Sequence, residues 1–206
     1  MMIIVSPSLL KLTVGKIIDI QKHENADKIY VSKILIQDQK IDQEIKINQS
    51  MKAALQVCSG LVPYIPMSEL LNSRVVVVTN LKPSKIRGVL SEAMILAAEN
   101  SNNLEDEDVS QQQLKVEVVR PPISSNIGDR LFFESHIIDH DKELGRVKPK
   151  VWQEIAKHLR TNENCQVVYK LPEGGENLLK LNKSNDNENV NENCCYVKSL
   201  SNAIVR

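Results

Sequence analysis

Between Leu10 and Ala98 apolar residues alternate with polar ones in short runs, and each run stops at a polar turn. A period of two puts one face of a strand inside and the other outside. LKLTVGKIIDI (10–20) predicts a first strand, with Gly15 at its middle where a bulge or sharp bend would let a sheet curl. HENADKI is the turn, and YVSKILIQ (30–37) alternates through Val31, Lys33 and Leu35 as the second strand. The stretch 41–60 fits either a strand near its end or a helical turn at MKAALQ. PMSELLNS (66–73) predicts a helix of one or two turns with Ser68 as its N-cap. RVVVVTN (74–80) is an unbroken β-branched run, the pattern of a strand buried on both faces. LKPSKIRG (81–88) predicts a basic loop, because Pro83 cannot donate to a ladder and Gly88 allows a turn. SEAMILAA (91–98) is the last strand of the set.

Five strands with a short helix before the fourth is the order of a five-stranded OB-fold barrel, whose loops and one face commonly hold oligonucleotides. The expected fold is therefore mainly β, with an OB domain over residues 1–100. Residues 101–113 are polar and acidic and are expected to form a mobile loop. From 114 to 206 strand character returns, starting with LKVEVVRPPISSNIGDRLFF (114–133), to make a smaller α+β extension. KVWQEIAKHLR (150–160) carries Val151, Ile155 and Leu159 on one helical face, with Trp152 expected to anchor that helix in the core. NKSNDNENVNEN (182–193) is too polar to pack and is expected to be a disordered insertion.

Aromatics are only 3% of residues, so the core is aliphatic and any base-stacking platform is sparse, which weakens a reading that needs several surface aromatics. No run of 18 apolar residues occurs and MMIIVSPSLL lacks a charged leader, so neither a spanning helix nor a signal peptide is indicated, and a soluble cytoplasmic protein is expected. Cys58, Cys165, Cys194 and Cys195 fit neither a metal pair nor a secreted disulfide framework, and Cys58 is expected in a buried strand. Net charge is zero, yet it is unevenly distributed. Glu105, Asp106, Glu107 and Asp108 stand in the 101–113 loop with no Lys or Arg, which leaves +4 for the remainder. Between 142 and 160 six basic residues face only Glu143 and Glu154, again a net +4. Clustered positive charge is what a polyanion selects.

NLKPSKIRGVLSEAM (80–94) resembles, in fixed register, the signature Asn-Leu-Lys-Pro-x-Lys-x-Arg-Gly-x-x-Ser-x-x-Met of tRNA-binding domains similar to endothelial-monocyte-activating polypeptide II (EMAP II-like). VGKIIDIQKHENADKIYV (14–31), CSGLVPYIP (58–66) and DKEL with the basic stretch through VKPKVWQEI (141–155) support it. Residues 38–56, the acidic loop and the Asn-rich tract fall outside the resemblance. The family's His-Pro-x-Ala-Asp turn is His23-Glu24-Asn25-Ala26-Asp27 here, and Glu92 places an acid inside the signature, which weakens the local positive potential. The resemblance implies an OB barrel followed by an extension that imitates the second subunit of bacterial homodimers, hence a monomer. It also implies shape-selective, sequence-tolerant tRNA binding in the service of aminoacyl-tRNA synthetases or a multi-synthetase complex, by a piece of a larger protein.

The candidate tRNA-binding residues fall in two groups. Lys82, Lys85 and Arg87 are spaced to reach successive phosphates, with Asn80, Pro83 and Gly88 shaping the loop around them. As the match implies, Asn80 and Ser91 are donors and acceptors for sugar or phosphate, and Met94 an apolar contact for a base or ribose; strict alternation would place Ser91 and Met94 on opposite faces. Arg146, Lys148 and Lys150 form the second group, kept extended by Pro149. No nucleophile elbow or Gly-rich phosphate loop is present, so no catalytic residue, cofactor or membrane contact is expected. Two other readings compete. A metal-dependent enzyme would rest on His136 and His140 with Asp139 or Asp141, without a third ligand cluster. A cytokine-like protein-interaction role is disfavoured because LTVGKII (12–18) departs from the basic heptapeptide tied to that activity.

Overall fold

The computed structural model describes residues 5–37, 54–100, 114–136, 143–181 and 193–206; the acidic loop and most of the Asn-rich tract, with His140, lie outside them. The described residues are mainly β with few helices, 46% of them strand. Strand β1 (Leu12–His23) pairs antiparallel with β2 (Ala26–Leu35), which pairs with β3 (Leu55–Ser59). On its other edge β1 pairs along Leu12–Lys16 with β4 (Arg74–Val78), and β4 pairs with the two-residue β7 (Met94–Ile95). Between β3 and β4 lies the single-turn helix α1 (Met67–Leu70). Its N-cap is Pro66, without a side-chain cap bond, so Ser68 is not the cap; the chain enters the turn two residues earlier than the Ser signal suggests.

The first strand does not break at Gly15. Its irregularities fall between Ile17 and Asp19 and at the Lys22–His23 end. Gly15 serves close approach instead, since a Cβ there would meet Ile34 Cγ2 at 2.6 Å and Val77 Cγ2 at 3.0 Å. The irregularity after Ile17 resets the alternation. Leu12 and Val14 enter one core and Ile17 another by alternation alone, and the irregularity lets Ile20 join Ile17. β4 makes the same division without a bulge: Val76 and Val78 face the first core, Val75 and Val77 the second, and all four are fully buried. The β-branched run is thus a shared wall, as its composition predicts.

Past β7, the chain leaves β4. β8 (Ala97–Glu99) pairs with β9 (Val116–Val118) and with the short β14 (Ile204–Val205). The remaining sheet runs from β1 to β10 (Arg130–Phe133), β13 (Glu176–Leu181), β12 (Val167–Lys170) and β11 (Leu159–Thr161), which reaches β14. This path is open, not closed into a barrel, with β3 and β9 at its ends. Residues 91–98 are thus split among three strands, because Leu96 N–H turns to Val76 O while Leu96 O accepts from Val119 N–H. Helix α2 (Pro149–Ala156) is shorter than its amphipathic pattern predicts, and Leu159 goes into β11. Ile155 is its buried anchor, and Trp152, half-buried, packs on the same core. Cys58 lies buried in β3, and burial pushes its thiol pKa up.

Candidate nucleic-acid interface

The predicted basic loop is mostly a β-hairpin. β5 (Ser84–Ile86) pairs with β6 (Val89–Ser91), and the connection is two residues, Arg87 and Gly88. Both have positive φ, 49° and 91°, as a turn matching the right-handed twist of a hairpin requires. Glycine adopts that region freely, whereas arginine does so at a cost of about 1–2 kcal/mol. Pro83 stands just before the first paired residue, where it removes no ladder bond. Lys82, Lys85 and Arg87 are all exposed.

Polar contacts place this small hairpin, among them Gln56 Nε2 donating to Leu90 O at 2.8 Å. Ser91 Oγ accepts from Cys58 N–H at 3.0 Å and donates to Ala93 O at 3.1 Å. Glu92 accepts from Gln56 N–H at 2.8 Å through its carboxylate, and its own N–H donates to Gln56 O at 2.8 Å. The acid inside the signature is thereby spent on the outer edge of β3. At the other side, the buried His23 ring meets Ile86 O at 3.1 Å. Ser91 and Met94 are separated by an irregular Glu92–Ala93 step, so strict alternation does not relate them; Met94 is half-buried against the core.

Asn80 is also inside, 6% exposed, and its amide is a junction. Oδ1 accepts from Lys11 N–H at 2.8 Å, and Nδ2 donates to Leu9 O at 2.8 Å and to Gly145 O at 3.0 Å. Its backbone carbonyl accepts from Val147 N–H at 2.8 Å, and Leu81 and Val147 form a parallel bridge. Arg146 reaches Leu81 O at 3.3 Å. The two basic groups, far apart in sequence, are thus neighbours, with Lys82 and Lys148 each one step beyond the bridged pair. Arg146, Lys148 and Lys150 are exposed, and so is Lys11, which sequence reasoning missed. Only its polar place between Leu10 and Leu12 in the alternating run marks Lys11, and that is the position of many solvated lysines. Asn80 and Ser91 have their side-chain groups committed to the protein itself, so they shape the surface from behind.

His136 lies elsewhere, with Nδ1 3.2 Å from Ser6 Oγ and its ring edge-on to Tyr169 at 5.8 Å. His140, Asp139 and Asp141 are outside the described residues, and among those described no group of three His, Cys, Asp or Glu is arranged to hold a metal. No helix among the described residues is long and apolar enough to cross a membrane.

Comparison with known proteins bears on this surface. The family model described as "Putative tRNA binding domain" matches residues 12–130. The chain is 36% identical over 166 residues to aminoacyl tRNA synthase complex-interacting multifunctional protein 1 of Cricetulus griseus, 81% of this chain and 39% of that one. It is 34% identical over 177 residues to tRNA-aminoacylation cofactor arc1 of Schizosaccharomyces pombe, 86% of this chain and 34% of that one. With the cytoplasmic methionine–tRNA ligase of Arabidopsis thaliana it shares 38% over 161 residues, 78% of this chain and 17% of the ligase. The chain therefore spans well under half the length of these relatives. The C-terminal domain of Plasmodium vivax p43 has the same fold, with a TM-score of 0.60, 20% identity, and coverage of 98% of this chain and 99% of that one. With a family model covering more than half its length and the signature mounted on an exposed hairpin, the chain belongs to the tRNA-binding-domain family.

Proposed function

We propose that the chain binds tRNA through one composite basic surface made of Lys82, Lys85 and Arg87 on the hairpin side and Arg146, Lys148 and Lys150 on the extension side. The observation that carries this reading is the Asn80 junction, which ties Gly145 and Val147 to the root of the hairpin. A duplex-like backbone needs phosphate contacts spread over a surface, and the two groups together provide that spread where either alone would not. In this reading Asn80 and Ser91 position the cationic side chains, and Met94 supports the hairpin from the core side. The relatives' names extend the proposal: a tethered, weak, sequence-tolerant site that raises a synthetase's hold on tRNA through effective concentration. The role is binding, with catalysis left to a partner or to another part of a larger cytoplasmic protein.

We further read β1–β4 with β7 as an OB barrel over residues 1–100, with 114–206 as the extension that stands in for a second subunit and keeps the chain monomeric. The strand order β3-β2-β1-β4-β7 supports this, as does the Glu92 to Gln56 backbone bond linking its two ends. Filter binding with total tRNA, a duplex RNA and a single strand of equal length tests the function. Expected is a preference for tRNA with a steep salt dependence and little distinction between tRNA species. One tRNA bound far more tightly than all others, or no binding at low salt, overturns it.

A further inference from the structure

His23 ends β1, is 4% exposed, and uses both ring nitrogens on backbone groups of two different segments. Asn25 N–H, in the tight turn between β1 and β2, donates to Nδ1 at 3.0 Å. Nδ1 must therefore carry a lone pair, which places the ring proton on Nε2. Nε2, 3.1 Å from Ile86 O, is then a donor to that carbonyl. Ile86 is the last residue of β5, immediately before Arg87, and its neighbour Lys85 projects from the exposed face with Leu90. The tether thus lands at the base of the two-residue turn, next to both cationic side chains of the hairpin.

The hairpin needs such a tether. Lys85, Arg87, Gly88 and Leu90 are exposed, and Ile86 and Val89 are only half-buried, so apolar burial gives it little definition. Ser91 and Glu92 hold its β6 end, close to β3. His23 holds the turn end through Ile86 O on the other strand, β5. We propose that His23 is a positioning residue for RNA binding: in its Nε2-protonated form it fixes the turn end of the basic hairpin and so sets where Lys85 and Arg87 meet the phosphates. This rests on the tRNA-binding reading above.

Two substitutions separate the two jobs of the ring. In His23→Asn the side-chain oxygen sits near the place of Nδ1 and can keep the turn contact with Asn25 N–H, but nothing reaches Ile86 O. In His23→Gln the amide nitrogen sits near the place of Nε2 and can restore that donor. Each is tested in filter binding with total tRNA, alone and combined with Lys85→Ala/Arg87→Ala, and folding is checked by circular dichroism. Expected is a roughly fivefold weaker dissociation constant for His23→Asn, the worth of one net hydrogen bond. His23→Gln recovers most of that loss. In the Lys85→Ala/Arg87→Ala background, His23→Asn has no further effect, because the hairpin then has no charges to misplace. The proposal is overturned if His23→Asn binds like wild type, if both substitutions weaken binding equally, or if the His23 and Lys85/Arg87 effects simply add. If His23→Asn does not fold, His23→Gln and its combination decide: near wild-type binding by His23→Gln supports the tether, and a loss that adds to that of Lys85→Ala/Arg87→Ala overturns it. Failure of the underlying reading looks different: Lys85→Ala/Arg87→Ala then binds tRNA as tightly as the unaltered chain.

Discussion

The β1–β4 ribbon and the β5–β6 hairpin are adjacent in sequence and opposite in how they are held. In the ribbon, Leu12, Val14, Ile17 and Val75 to Val78 are all buried, divided between two cores on its two faces. The hairpin buries little and is located by a few hydrogen bonds, from His23, Ser91 and Glu92. Apolar burial scales with area and is tolerant of direction, whereas a hydrogen bond fixes a distance and an angle while adding only about 1 kcal/mol net. The ribbon therefore supplies stability and the hairpin supplies placement. Substitutions in the two should fail in different assays.

The largest effect is expected from Ile17→Ala, which should lower the unfolding free energy in urea by about 2–5 kcal/mol. The folded fraction should keep the wild-type salt slope for tRNA; a changed slope would mean that ribbon and binding surface are not separable. Next comes Asn80→Ala. It strands Lys11 N–H, Leu9 O and Gly145 O, and should cost about 1–3 kcal/mol by the same titration. Unlike Ile17→Ala, it should also weaken tRNA binding, because residues 145–150 lose their tie to the hairpin root. A destabilised Asn80→Ala protein with unchanged affinity would break the composite surface into unrelated patches.

Replacing Lys82, Lys85 and Arg87 together by Ala should move stability by no more than about 0.5 kcal/mol. The slope of log K against log salt should shrink in magnitude by roughly two, from about three phosphates no longer neutralised. Unchanged affinity and slope in a folded triple variant would remove the hairpin from the site. The smallest effect is a coupling. Distant patches would add in free energy, but Leu81 and Val147 are bridged, so Lys148→Ala/Lys150→Ala combined with the triple change should depart from additivity by about 0.5 kcal/mol or more. Strict additivity would show that the two groups meet the RNA independently.

The ribbon is also the part most legible in the sequence. RVVVVTN declares its strand because Val75 to Val78 are all buried between two cores, and LKLTVGKIIDI because Leu10, Leu12, Val14 and Ile17 are buried while Lys11 and Asp19 stay exposed. The hairpin is harder to read: Pro83 suggests a loop, and only Arg87-Gly88 taken as a pair reveals a two-residue turn. The basic residues are visible through the signature, but their arrangement is not, since Asn80 finds Gly145 65 positions further along the chain. Asn80 and Ser91 look like ligand contacts in a motif because both are polar. Their burial comes from β3, the N-terminal segment and the extension, which no local pattern encodes. The early end of α2 has the same origin: Leu159 continues the helical stripe, yet pairing with Tyr169 in β12 claims it for a strand.

One junction bears on how the chain is made. β14, only Ile204 and Val205, lies between β11 and β8 and pairs with both. During synthesis from the N-terminus, β8 and β11 emerge long before it, each with an edge that has nothing to pair with. The nascent sheet remains in two pieces until those residues clear the ribosome. A chain interrupted shortly before Ile204 would thus keep two open strand edges, each a template for pairing with another chain.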